Sequence, residues 1–173
     1  EELIVHLKDV STCLNRTIQN LNEIVSVQSK KNTTVEQLNI SNFIKETLKL
    51  LDIAIIECKA CVINEVDANL FIYYNSAYLE SIIQNLLSNA IKYRHPNRKP
   101  IINLSSKTTS TYNILKIEDN GLGIDLEKYG KEIFGLYRTF HNNENAEGVG
   151  LYLTKSQIEA FGGKIEVSSI VNV

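Results

Sequence analysis

The 173-residue sequence contains no methionine and no tryptophan, only two prolines and three cysteines, and no glycine before Gly121. Each absence narrows the reading. A translated chain begins with methionine, so the sequence is expected to be a piece of something longer. No apolar run approaches the roughly 18 residues that a membrane-spanning helix needs, and the charged opening EELIVHLKD is no signal peptide. This segment is therefore not expected to insert in a membrane. Lysine and arginine number 18 against 20 acidic residues and are scattered. Without a basic stripe interleaved with aromatics, the footprint of a nucleic-acid binder is missing. Cys13, Cys58 and Cys61 form no regular framework, which suggests a reducing compartment, the cytoplasm. Cys58 and Cys61 make a lone C-x-x-C on a stretch that reads as a strand, where positions three apart face opposite ways. With no second ligand pair, metal binding there is not expected.

What is present is a chain 43% hydrophobic and 22% charged, enough for one globular domain and an appendage. Leu3, Leu7, Val10, Leu14, Ile18, Leu21 and Val25 recur at steps of three and four, one stripe on a helix of about 27 residues. Its other face is polar, with Lys8, Asn15, Arg16, Gln19 and Glu23. The stripe needs a partner: a second helix, another subunit, or the chain's own domain. The run SKKNTT breaks the periodicity and divides the chain into a helix over 1–32 and a domain over 33–173.

Within that domain VEQLNI reads as a short strand, with Ser41 the N-cap of a helix NFIKETLKLLDIAIIE. ACVINEV and NLFIYYN, separated by Asp67 and Ala68, read as a strand pair. A helix follows from Ser76 to Arg94, closed by Pro96. PIINLSSK and YNILKIED read as strands, and a helix near Val149–Phe161 stops at Gly162 and Gly163 before a strand KIEVSSI. The order lacks a strict βαβ rhythm and predicts an α+β fold, a mixed sheet covered on one face by helices.

On the helix SAYLESIIQNLLSNAIKYR, Leu79, Ile82, Ile83, Leu86 and Ala90 form the core face. Asn85, Asn89 and Lys92 share an arc of about 60° beside it. Asparagine costs about 0.6 kcal/mol against alanine inside a helix, so two of them one turn apart ask for a reason. A solvated face is one; amide oxygens for Mg²⁺ and an ammonium for phosphate are another. Asp119 ends an alternating strand before Asn-Gly-Leu-Gly, which by itself is an ordinary Asx-capped turn. A second glycine pair, Gly148 and Gly150, opens a helix whose N–H groups can face an anion. Neither G-x-x-x-x-G-K-[ST] nor G-x-G-x-x-G occurs, so the two standard phosphate loops are excluded.

NLLSNAIKY, DNGLGI, IFGLYRTFH and GVGLYLTK stand in the order and spacing of the N box, first glycine box, F box and second glycine box of sensor histidine kinases. Over about residues 35–170 the chain resembles the ATP-binding domain of that family, within the superfamily shared with gyrase, mismatch-repair and heat-shock chaperone ATPases. The stretch from Leu136 to Val167 is particularly like kinases of the Bacteroidetes type. The resemblance implies a Bergerat-type sandwich with a mixed, mostly antiparallel sheet, and ATP and Mg²⁺ as ligands. By it Asn89 is the Mg²⁺ ligand, Asn85 stands beside the phosphates, Lys92 meets phosphate and Tyr93 borders the nucleotide. Asp119 accepts the adenine amino hydrogen. Gly121, Gly123 and Ile124 line the base, while Gly148, Val149, Gly150 and Leu151 approach the phosphates. Residues 129–147 form a lid anchored by Phe134, and Arg138 is a candidate for the γ-phosphate. Six of the eight glycines thus fall in nucleotide loops and lid.

Departures from the family pattern are equally specific. Ala146 stands where the second glycine box has a further glycine, and His6 lacks the acidic neighbour of a phosphoacceptor, being followed by Leu7 and Lys8. The first helix resembles the second helix of a dimerising hairpin, with the acceptor helix expected upstream, and a last strand is expected beyond Val173. Hydrolysing relatives carry a glutamate base one turn before the metal-binding asparagine. Asn85 occupies that position and cannot take a proton. The expected activity is transfer of the γ-phosphoryl group to a histidine, with Asn85, Lys92 and Arg138 as its working residues. The expected partners are a second copy and a response-regulator receiver domain. An anti-sigma-type serine kinase and a nucleotide-binding module without turnover are the alternatives.

Overall fold

The computed structural model describes residues 34–140 and 148–172, together with Ile4, Leu7, Ser11, Ile18, Leu21, Asn22, Ile24 and Val25. Those eight N-terminal residues are helical. Leu3, Val10, Leu14, His6 and Cys13 lie outside the described residues, as does the lid stretch 141–147 with Ala146.

The domain opens with β1 (Glu36–Asn39) and runs into α1 (Ile40–Leu50). Asn39, not Ser41, is the N-cap: its side chain accepts from the Asn42 N–H at 3.1 Å. Ser41 is buried instead. The single helix expected after it is broken at Leu51 into α1 and α2 (Asp52–Glu57). β2 (Cys61–Glu65), β3 (Phe71–Tyr74), α3 (Ser76–Lys92), β4 (Ile101–Thr108), β5 (Asn113–Asp119), α4 (Leu126–Tyr129) and α5 (Gly150–Ala160) follow. Asn75 caps α3 through the Tyr78 N–H, and Asp125 caps α4 through Lys128.

β2 and β3 do not pair with each other. β3 joins β1 antiparallel, while β2 lies parallel to β4, which pairs antiparallel with β5. The five intervening residues, 66–70, carry the chain from one sheet to the other, with Asp67 accepting from the Asn69 N–H and bonded at its own N–H to Ser106 Oγ. Cys58 sits at the C-terminal cap of α2 and Cys61 begins β2. They flank a turn in which Lys59 has φ 54°, so the C-x-x-C does not lie on a strand. Residues 164–170, expected as a strand, join no ladder among the described residues. The segment is fastened by a side chain, Ser169 Oγ accepting from Ile124 N–H at 2.7 Å.

Alternation along β4 and β5 turns Ile102, Leu104, Leu115 and Ile117 inward and leaves Asn103, Lys116 and Glu118 outside. Onto that inner face pack Ile44 of α1 and Leu79, Ile83, Leu87, Ala90 and Ile91 of α3. The buried arc of α3 is rotated from the expected one: Leu87 and Ile91 enter the core, and Leu86 stays half-buried. The result is a mixed, mostly antiparallel α+β fold with helices on one face of the sheet. Among the described members of the N-terminal stripe, Leu7, Ile18, Leu21 and Val25 are exposed. Ile24, beside the stripe, is the residue that buries, against Val149 and Leu153.

Candidate functional site

Three segments distant in sequence meet along α3. At its C-terminal end the Tyr93 carbonyl accepts the Leu122 N–H at 3.0 Å. A Cβ on Gly121 would lie 2.5 Å from that same oxygen, so only glycine allows the 119–123 loop to dock there. The loop is closed on itself by Asp119 Oδ1, which accepts the Gly121 N–H at 2.8 Å. It is also tied to β4 by Asn120, whose Oδ1 accepts the Ile101 N–H at 2.8 Å and whose Nδ2 donates to Lys99 O at 3.0 Å. Asn120 was missed as a holding residue in the sequence. The Asx signal was visible, but its partner 19 residues back was not.

About two turns earlier on α3, Asn85 meets the start of α5. A Cβ on Gly150 would stand 3.1 Å from Asn85 Oδ1. The N-cap of α5 is Val149, and no side chain caps the helix, whereas α1, α3 and α4 each have an Asn or Asp cap. The first N–H groups of α5 thus have the helix dipole's positive end and, among the described residues, no side-chain cap. Gly148 adopts φ +67°, a conformation in which a side chain is strained, and a Cβ there would lie 2.5 Å from the Arg138 backbone N. Between the two loops Asn85, Asn89 and Lys92 share one face of α3, all half-buried. From Asn85 to Tyr93 the helix rises about 12 Å, which sets the separation of the two glycine loops along it.

Other expected site residues stand apart from that line. Arg138 is exposed, its Nε 3.4 Å from Glu132 Oε2 and its side chain over Gly135. Phe134 is half-buried with the Lys155 ammonium 5.5 Å from its ring centre. Its neighbour Ile133 is the more deeply buried anchor, 2% exposed. Leu151 is half-buried on α5. Gly123 and Ile124 face the 169–171 segment and line a shallow cavity of about 220 Å³ that also takes in Tyr129 and Phe140, whose rings are 5.2 Å apart. Burial holds the Tyr93 hydroxyl above the usual tyrosine pKa. Among the described residues no cluster of His, Cys, Asp and Glu could hold a metal, and no helix is long and apolar enough to cross a membrane. The described oxygens nearest the two loops include the neutral amides of Asn85 and Asn89, a donor type that Mg²⁺ accepts.

Residues 74–172 match the family described as histidine kinase-, DNA gyrase B- and HSP90-like ATPases. The signal transduction histidine-protein kinase AtoS of Escherichia coli (strain K12) is 30% identical over 171 residues, covering 98% of this chain and 27% of AtoS. The sensor protein RprX of Bacteroides fragilis (strain YCH46) is 30% identical over 108 residues, 61% of this chain and 21% of its own. A Bacteroidetes relative is thus no nearer than one from E. coli, and that part of the resemblance is minor. This chain spans about a quarter of the length of these curated relatives. The structure of the Acinetobacter baumannii histidine kinase AdeS superposes with a TM-score of 0.80 at 23% identity, covering 99% of this chain and 80% of that one. At that identity the likeness establishes the fold.

Proposed function

Because the chain belongs to the family of histidine kinase-, DNA gyrase B- and HSP90-like ATPases, we propose that it is the ATP-binding catalytic domain of a sensor histidine kinase, passing the ATP γ-phosphoryl group to a histidine on a dimerisation helix. One observation carries this reading: the uncapped N-terminus of α5 opens with Gly150 against Asn85 of α3. That arrangement turns backbone N–H groups toward an anion and leaves an amide, not a carboxylate, where a hydrolase needs its base.

In this reading Asp119 takes the adenine amino hydrogen, with Gly121, Gly123 and Ile124 bordering the base and Tyr93 beside it. The phosphates run along α3 toward α5, met by Lys92 and by the N–H groups from Gly148 to Leu151. Asn89 would hold Mg²⁺, with Asn85 beside the phosphates; when bound, the ion would neutralise phosphate charge and leave the γ-phosphorus open to attack. Arg138 leaves Glu132 to meet the γ-phosphate, and Phe134 anchors the lid over 129–147. The histidine nitrogen forms the new bond to phosphorus as the bridging oxygen departs with ADP. The chain's contribution is placement and charge, with no water-activating base. A second copy supplies the partner of the N-terminal stripe, and a receiver domain of a response regulator takes the phosphoryl group onward.

Labelled Mg·ATP distinguishes transfer from hydrolysis. This chain, mixed with or fused at its N-terminus to an acceptor helix bearing a His-Glu or His-Asp pair, is expected to yield acid-labile phosphoprotein. Asn89→Ala should abolish the tightening of ATP by Mg²⁺ while adenosine still binds. Rapid release of inorganic phosphate with no phosphoprotein would make water the acceptor and overturn the reading.

A further inference from the structure

The contact between α3 and α5 contains a polar seam where side chains are otherwise expected to be apolar. Thr154 and Gln157 of α5 are 0% and 2% exposed. Gln157 Nε2 donates to Ser81 Oγ at 3.2 Å, and the Gln157 carbonyl accepts the Tyr74 hydroxyl at 2.7 Å. That carbonyl is one of the last four of α5, which lack intrahelical donors. The N–H groups of Phe161, Gly162 and Gly163 turn to Ile158 and Glu159 instead, so Tyr74 satisfies it. Gln157 Oε1 and Thr154 Oγ1 are buried with no hydrogen-bond partner among the described residues.

Stability alone does not account for Gln157. An apolar side chain of similar volume would remove an unpaired acceptor, a change that is neutral or stabilising in buried sites. What a buried hydrogen-bonded pair adds is a single register, since apolar ridges can repack at small cost whereas a donor displaced from its acceptor cannot. Gln157 lies about two turns after Gly150 on the same face of α5, and Ser81 about one turn before Asn85 on α3. The crossing therefore has two fixed points, Gln157 on Ser81 and Gly150 on Asn85, joined by a stiff helix.

We propose that Gln157, held by Ser81 and Tyr74, is a positioning residue for the phosphate end of the nucleotide: it sets where the N-terminus of α5 stands relative to Asn85. It touches no nucleotide itself, and the proposal rests on the ATP-binding reading given above. The base end is set by Asp119 and the Tyr93 carbonyl, away from α5, so the two ends of the ligand respond differently to its loss.

The test titrates Mg·ATP and adenosine separately into the 173-residue chain and its variants by calorimetry, with a Tm for each. Gln157→Leu should keep or raise Tm, weaken Mg·ATP about fivefold or more, and leave adenosine within about twofold. Ser81→Ala should reproduce that loss, and the double variant should be no worse than either single one because both cut the same contact. Thr154→Val removes the unpaired hydroxyl from the same seam without touching the register, so both affinities should stay unchanged. Mg·ATP affinity within about twofold of wild type in Gln157→Leu and Ser81→Ala would overturn the proposal, as would ATP, adenosine and Tm falling together, the mark of a merely structural residue. Should Gln157→Leu fail to fold, Ser81→Ala decides. A wild-type chain that binds no Mg·ATP would refute the nucleotide reading itself, a separate outcome.

Discussion

At the scale of single residues, the site turns on a few atoms whose neighbours lie far off in sequence. Asp119 Oδ1 is committed to the Gly121 N–H, and a carboxylate has further lone pairs for a base amino group. GTP would present a carbonyl there, leaving two acceptors facing each other at a cost of about 1–3 kcal/mol. ATP should therefore bind at least about tenfold tighter than GTP, and Asp119→Asn should weaken ATP; calorimetric titration of both nucleotides checks this, with equal affinities sinking the assignment. Tyr74 gives a second, independent prediction. Burial, with the nearby Tyr78 adding to it, pushes its hydroxyl pKa well up, so the folded state keeps a proton that the unfolded chain releases near pH 10. Stability from this group is fully present below that value and is lost as pH rises above it toward the folded pKa. Denaturant unfolding from pH 8 to 11 should show this decline in the wild type and a smaller one in Tyr74→Phe, which at neutral pH should cost about 1 kcal/mol for the lost bond to Gln157.

At the scale of elements, those with local signals were legible and those decided by distant partners were not. The 3.6-residue period and the stop at Pro96 place α3 within two residues of its observed ends, since both signals are local in sequence. The expected helix is broken in two at Leu51, which is at once the C-cap of α1 and the N-cap of α2, because apolar spacing runs on across a short break and does not reveal it. β2 and β3 look like a hairpin by length and composition, yet each finds its partner elsewhere; strand pairing is a property of the sheet, not of the strand. The proposed lid offers a prediction of its own. Residues 130–140 are irregular, held by Ile133 and by the Tyr129–Phe140 contact, with few backbone bonds to protect their amides. Hydrogen exchange should be fast over 131–140 in the free chain and slowed by Mg·ATP. Equal protection in both states would count against a lid.

For the whole molecule, the described members of the N-terminal stripe, Leu7, Ile18, Leu21 and Val25, are 46–62% exposed, uncovered by the chain's own domain. A second copy is the partner that the repeat suits. Sedimentation should show concentration-dependent dimers, and Leu7→Asp with Leu21→Asp should yield monomers, each lost leucine removing roughly 2 kcal/mol of burial, while ATP affinity is unchanged. A monomer at all concentrations would oppose that assignment. The sequence by itself determined the identities that chemistry requires: an amide instead of a carboxylate at Asn85, glycines clustered after residue 120, and alternation that gives β4 and β5 one apolar face. These follow from local composition and period, which act within a few residues. Only the tertiary structure decided that the Tyr93 carbonyl receives the first glycine loop, that Gly150 stands on Asn85, and that Gln157 reaches Ser81 across 76 residues. Such contacts depend on how α5 crosses α3, an angle set by how the two helices pack on each other, and no window of sequence contains both sides of that packing.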